Sequence, residues 1–349
     1  MQTKTDRRTV AYVRFKYLKF RPFVGDVEGN LPNPEYAGYS FKMPNGNIKI
    51  VKQLLKDNGF QEIGPNSQNF TIWWHIGRIK PDFYVTLKAH QKVNHHPHTI
   101  ECTKKDKMNQ NIGSMVTKFG KPFDFVPKTY LLPQEISLLL RDADQKKHSR
   151  RYYIVKPNGS SQGKGIYVTD NIHAIVTSNM SGMLVSEYVQ NPLLINGIKF
   201  DLRIYVVITS FNPLRIYIYD EGLVRFATEP FSLNPAHMAN RFVHLTNYSI
   251  NKFSDKYVDY TEEGIGTKWT LSSLKKSMRK LGLDPDLMMM RIEDIIIKTI
   301  ISIEHKVYKA TEQYVPYRNN CFDFLGFDIL IDSDLKPWLL EVHLCMTAR

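Results

Sequence analysis

Two acids lie where a carboxylate is costly. Asp328 sits within Phe324-Leu325-Gly326-Phe327-Asp328-Ile329-Leu330-Ile331, and Glu341 within Trp338-Leu339-Leu340-Glu341-Val342. Burying a lone carboxylate in apolar strand sequence is unfavourable unless it is paired or bound to a metal. The link 332–336 (DSDLK) is a turn that folds one strand back on the other, which brings the two acids together. Two close carboxylates suit Mg²⁺, which takes oxygen ligands and bridges acids to substrate phosphates. The alternative is two acids at strand edges facing water.

Two further stretches carry charge in a useful pattern. Residues 156–165 read Lys-Pro-Asn-Gly-Ser-Ser-Gln-Gly-Lys-Gly. Ser161, Gly163 and Gly165 are small enough for backbone N–H groups to approach phosphate oxygens, and Lys156 and Lys164 add compact positive charge. The loop leads into a strand rather than a helix, so it is not a Walker A loop. An ordinary hairpin turn has the same composition. In Lys199-Phe200-Asp201-Leu202-Arg203 the three charges alternate along a strand start and share one face. A solvated sheet face with a local salt bridge reads the same way. The histidine-rich segment 88–98 (KAHQKVNHHPH) holds His90, His95, His96 and His98 without a carboxylate or cysteine to complete a metal site, so a basic loop is expected there.

These groups need elements to position them. Pro22, Gly25, Gly29, Pro32 and Pro34 mark residues 1–35 as an extended lead-in. A helix is expected at 50–58, closed by Gly59, and a strand at 70–74. Strands follow at 152–155, 165–169, 184–189, 201–210 and 215–219, with a tight turn at Asp220-Glu221-Gly222 leading into 223–227. Helices are expected at 271–281 and 285–312; in the second, Ile292, Ile295, Ile296, Ile300, Ile303 and Val307 keep one face apolar. A hairpin at 321–331 and 336–344 closes the chain.

The 349 residues exceed one typical domain, and 42% hydrophobic with 12% aromatic residues excludes wholesale disorder. A formal charge of +13 favours acidic partners. Cys102, Cys321 and Cys345 form no disulfide framework or zinc spacing, which fits a reducing compartment. No apolar run reaches the ~18 residues that a membrane span needs, and no nucleic-acid recognition motif accompanies the charge. No membrane or nucleic-acid partner is therefore expected.

Taken in order, Ile154-Val155-Lys156-Pro157 with its glycine-serine loop, Lys199-Phe200-Asp201-Leu202-Arg203, His244-Leu245-Thr246-Asn247-Tyr248-Ser249, Gly326-Phe327-Asp328 and Trp338-Leu339-Leu340-Glu341-Val342 resemble the tubulin tyrosine ligase-like family of ATP-grasp amide ligases. The resemblance runs over about 39–344. Segments 186–195, 197–203 and 298–302 are most similar to its polyglutamylase branch.

The resemblance implies an α/β ATP-grasp fold, with an N-terminal domain at 36–98, a central domain at 99–195 and a C-terminal domain at 196–349, nucleotide lying between the last two. It implies that Lys156 contacts the ATP phosphates and that Ser161, Gly163, Lys164 and Gly165 cover them. Glu187, Tyr188 and Val189 would form the adenine hinge. Lys199, Asp201 and Arg203 would line the nucleotide and acceptor side, Arg225 would neutralise a phosphoryl group or bound amino acid, and Thr246 and Asn247 would lie beside them. Asp328, Glu341 and the position of His343 would hold Mg²⁺. The implied reaction joins free glutamate to glutamate side chains in the acidic tails of tubulin through an acylphosphate, carried out by a monomer in the cytoplasm on the cytoskeleton, including cilia or basal bodies. Glycine ligation and non-catalytic microtubule binding are the alternatives.

Two departures from the family pattern stand out. Relatives carry Asn two residues after the metal Glu, followed by a Ser-Pro-Ser stretch; here Glu341-Val342-His343-Leu344 is followed by 345–349, as expected of a shortened C-terminal domain. Imidazole is a softer ligand than Mg²⁺ prefers. Gln162 replaces a basic residue common in the phosphate loop. Weakened Mg-ATP binding is the expectation.

Overall fold

The computed structural model describes residues 38–44, 48–145, 150–159, 163–177, 181–259 and 265–344. The expected lead-in at 1–35 and Ser161 lie outside them. The chain divides into two compact units, Met1–Ile72 and Trp73–Arg349.

In the first unit, strands Ser40–Lys42 and Gln61–Glu62 pair in parallel, joined by helix Lys49–Asp57. Phe41, Leu55, Phe60 and Ile72 pack into a small core. The helix stops where Gly59 takes a φ of 87°, a left-handed conformation that glycine adopts without steric cost. The strand expected at 70–74 is reduced to Ile72–Trp73.

The second unit holds two sheets. The smaller is antiparallel, with Thr129–Leu132, Met183–Glu187, Tyr153–Pro157 and Tyr167–Thr169 in that spatial order. Helices Ile136–Gln145 and Ile172–Thr177 bury Leu139 and Ile175 against Tyr130, Tyr153 and Val185. The larger sheet runs Lys268–Thr270, Leu214–Phe226, Ile198–Phe211, Asp323–Ile331, Pro337–Leu344, with Leu194–Ile195 on the start of Ile198–Phe211. In Ile198–Phe211, Phe200, Leu202, Ile204, Val206 and Ile208 are fully buried in one core. Their neighbours Lys199, Asp201 and Arg203 therefore project to the opposite face, as strand alternation requires. Helix Pro285–Tyr314 backs the sheet with Ile292, Ile295, Ile296, Ile300, Ile303 and Val307. Its start is set by Pro285 and by the Asp284 carboxylate, which accepts from the N–H groups of Asp286 and Leu287.

The structure corrects two expectations. Asp220-Glu221-Gly222 makes no turn. Leu214–Phe226 is one strand whose register slips between Ile204↔Gly222 and Val206↔Ile218. The extra residues bulge outward because both flanks pair with the same neighbour. Gly222 permits the close approach: a Cβ there would lie 2.7 Å from the Arg203 carbonyl oxygen. Segment 88–98 is not a solvated basic loop either. His95 and His96 are buried. The Asp323 carboxylate, itself fully buried, accepts from the His96 N–H (3.1 Å) and Thr99 Oγ1 (2.9 Å) and sits 2.6 Å from His96 Nδ1. The carboxylate partner exists, but it comes from the far end of the chain.

Candidate active site

The C-terminal hairpin is built locally. The Asp332 carboxylate accepts from the N–H groups of Asp334 and Lys336 and from Trp338 Nε1, closing the turn. Strands Asp323–Ile331 and Pro337–Leu344 then pair with Asp328 opposite Glu341, and directly opposed residues share a face. The same face receives Lys199, Asp201 and Arg203. With Lys156, Gly163, His244, Thr246, Asn247 and the newly found Lys105, most of these residues line one cleft. Ile154, Ile166, Leu330 and Leu340 supply its apolar lining.

Asp328 is only 3% exposed and meets a ring of cations. Arg203 engages both of its oxygens, and Arg225 reaches Oδ2 at 3.0 Å. Both contacts follow from register: Arg203 opposes Asp328, and Arg225 opposes Asp201, which it also holds at 2.8 and 2.6 Å. Burial alone would raise the Asp328 pKa; the two guanidinium groups outweigh it and hold the carboxyl well below its usual range. Glu341 is brought down to about 2 in the same way, burial being outweighed by His343 and Lys105, whose Nζ lies 2.8 Å away. His343 Nε2 lies 2.9 Å from Glu341 and 3.2 Å from Asp328, and these acids push its pKa up to about 9 against the effect of burial. Its Nε2 thus faces both carboxylates, in the position of a donor to acids that only accept. A nitrogen that donates offers no lone pair to a metal.

On the opposite side, Lys199 Nζ donates to Tyr188 Oη (2.9 Å) and to the His244 carbonyl (2.9 Å). His244 Nε2 faces the His237 carbonyl at 3.2 Å, and a carbonyl only accepts. That assigns the proton to Nε2 and leaves Nδ1 to accept from the Tyr188 hydroxyl, 3.0 Å away. Burial, aided by Lys156, brings Lys199 down to about 7 against the pull of Asp201. His244 falls to about 4, chiefly through burial and then through Lys199.

The loop and hinge residues are placed unevenly. Gly163, with φ of 72°, has no room for a side chain: a Cβ would lie 2.4 Å from Ile250 Cδ1 and 3.2 Å from Asn247 Oδ1. Arg241 donates to its carbonyl at 2.9 Å. Gly165, also left-handed, packs on Pro157. Lys164 lines a neighbouring depression instead of this cleft. The N–H groups of Glu187 and Tyr188 are spent on the Lys128 and Tyr152 carbonyls, and the Glu187 carboxylate on Arg151 at 2.6 Å. Neither N–H is available to a base, and residues 187–189 do not line the cleft. Lys105 lies in a run of surface-type charges (KKDK), and His244 meets Tyr188 and Lys199 across 56 and 45 positions, so local sequence singles out neither.

A family model described as the tubulin-tyrosine ligase family matches residues 85–345. The chain belongs to the tubulin-tyrosine ligase family. Among curated members, it is 43% identical over 309 residues to "Tubulin polyglutamylase TTLL5" of Homo sapiens, covering 87% of this chain and 24% of that protein. It is 36% identical over 319 residues to "Tubulin polyglutamylase ttll-5" of Caenorhabditis elegans (87% and 43%), and 38% identical over 307 residues to "Tubulin monoglutamylase TTLL4" of Mus musculus (87% and 25%). The chain thus spans about a quarter of the length of the first and third of these. Family membership and the several sheets together make this a mixed α/β, ATP-grasp-like protein.

Proposed function

We propose that this chain is the ligase core of a tubulin glutamate ligase, which uses ATP to join free glutamate to glutamate side chains of acidic tubulin tails. The observation that carries the reading is the convergence of Asp328 and Glu341 with Lys105, Lys156 and Lys199 around one cleft, with Arg203 and Arg225 paired to Asp328. The names of the relatives and the charge of +13 support the acidic acceptor. No helix among the described residues is long and apolar enough to cross a membrane; the names of the relatives support action on the cytoskeleton, in the cytoplasm and in cilia or basal bodies.

Joining a carboxylate to an amine requires activation. The γ-phosphoryl group of ATP passes to the acceptor carboxylate, the γ–β bond breaks with ADP leaving, and the glutamate amine displaces phosphate from the acylphosphate. Such transfer needs positioning and cations more than a protein nucleophile. Lys156 and the Gly163–Gly165 turn hold phosphates, Thr246 and Asn247 line the nucleotide side, and Arg203 and Arg225 neutralise charge on the transferred group. Lys199, its pKa lowered by burial, orients the acceptor or nucleotide, with Asp201 fixing Arg225. An adenine hinge at Glu187, Tyr188 and Val189 would need this backbone to open, since the Glu187 and Tyr188 N–H groups bond the Lys128 and Tyr152 carbonyls. Nucleotide would lie between 99–195 and 196–349, within the second unit. The cleft holds about 80 Å³ of open space among the described residues.

Oxygen atoms of Asp328 and Glu341 and a nitrogen of His343 lie within 4.8 Å of one another. The two acids fit Mg²⁺; His343, as a donor, does not. When bound, the ion would neutralise phosphate charge. The test is incorporation of radiolabelled glutamate or glycine into microtubules with ATP. Glutamate incorporation that vanishes in Glu341→Gln is expected; glycine incorporation alone, or none with either, overturns the reading.

A further inference from the structure

Beside the catalytic cleft lies a second depression of about 650 Å³. One wall divides them. Gly163 faces the first and Lys164 the second; Asn247 faces the first and Ile250 the second. Arg241, lining the second, pins the Gly163 carbonyl of that wall at 2.9 Å.

The lining of this depression has a consistent chemistry. Lys164, Arg241 and Lys252 contribute positive charge, and among the described residues no Asp or Glu lines it. Phe242 and Ile250 are apolar, and Phe253 stands 74% exposed with Lys252 Nζ 4.8 Å from its ring centroid. Three cations lining one concave surface repel one another and concentrate anionic partners there. A large exposed aromatic at the same place offers apolar contact to a flexible chain. Carboxylates for the cations and methylene groups for Phe253 are both supplied by an extended glutamate-rich segment.

We infer that this depression seats the acceptor polypeptide as an extended acidic segment, next to the cleft in which its side chain reacts. The inference rests on the ligase reading and names a docking surface for that reading's substrate. Lys252 and Phe253 are recognition residues that line the depression and not the reactive cleft. Arg241 has two roles, since the group that would meet the acceptor also holds the loop residue Gly163.

The experiment measures anisotropy of a fluorescein-labelled deca-glutamate peptide against the full chain, its Lys252→Glu and Phe253→Ala variants, and a Lys280→Glu control on helix Leu271–Lys280. Thermal unfolding and binding of a fluorescent ATP analogue verify that each variant is folded. Lys252→Glu is expected to weaken peptide binding by roughly fivefold or more and Phe253→Ala by roughly threefold, with Lys280→Glu within twofold and ATP binding unchanged. In the ligase assay, the KM for a tail peptide rises with kcat preserved. Equal peptide binding by wild type and Lys252→Glu overturns the inference while leaving the ligase reading intact. Stronger binding of a single-stranded oligonucleotide of equal charge, lost in the same variants, also overturns it. Peptide binding that is lost in Lys252→Glu in a protein that ligates nothing supports the docking surface and sinks the ligase reading.

Discussion

Arg225 and Asp328 come from two strands that flank Ile198–Phe211 on opposite sides, yet they meet at 3.0 Å across it. The same guanidinium grips Asp201 on the intervening strand. One side chain therefore ties three adjacent strands together beneath the cleft, and the acid assigned to the metal is held ionised by its neighbours before any ligand arrives.

Arg225→Leu should destabilise the protein by ~3 kcal/mol, because it leaves the buried Asp201 and Asp328 short of a partner. Arg225→Lys keeps the charge but loses the paired hydrogen bonds, and should recover part of that loss. Urea unfolding of the three proteins measures both steps. An unchanged midpoint for Arg225→Leu would show that Arg203 alone suffices.

Glu341→Gln removes charge while keeping shape. Incorporation of glutamate should fall below detection, with stability lowered by only about 1–2 kcal/mol because Glu341 keeps some exposure and its Lys105 pair is partly screened. His343→Asn exchanges a donor for a side chain with an oxygen ligand and should raise incorporation at limiting Mg-ATP. Equal incorporation by wild type and His343→Asn would show that the imidazole is no impediment.

Tyr188→Phe removes the hydroxyl between Lys199 and His244. Two buried polar groups lose a partner, at a cost of about 1–3 kcal/mol. His244→Phe should cost a similar amount alone but little more in the double variant, because the three groups form one chain. Strictly additive losses in a double-mutant cycle would refute that connection.

Glu101 provides the pH prediction. Burial raises its pKa, but Lys107, Lys306 (2.8 Å) and Asn111 outweigh burial and bring it down to about 2. Its folded pKa lies below its unfolded one, so the cluster stabilises fully above about pH 4.5, and that contribution is lost as pH falls toward 2. Glu101→Gln should therefore cost on the order of 1–2 kcal/mol at pH 7 and roughly half as much or less at pH 3. Urea midpoints at the two pH values provide the measurement; a cost that does not shrink in acid would assign Glu101 a packing role only.

Much of this was legible along the chain, because strand alternation, helix period and turn chemistry are set by residues a few positions apart. The face shared by Lys199, Asp201 and Arg203 needs only a period of two. The opposition of Asp328 and Glu341 needs only a short turn between two apolar strands, and the buried stripe of Pro285–Tyr314 only a helical period. Tertiary structure decided the rest. Asp323 meets His96 across 227 positions, which no local pattern encodes. Lys105 finds Glu341 only once the elements carrying them are packed together. The run 220–222 looked like a reversal until both its flanks paired with one neighbour and forced a bulge. His343 looked like a poor ligand in sequence; only the folded hairpin, by setting it between two ionised acids, made it a proton donor. Local periodicity determines which face a side chain takes, whereas the charge of a buried group depends on partners that only the completed fold brings within reach.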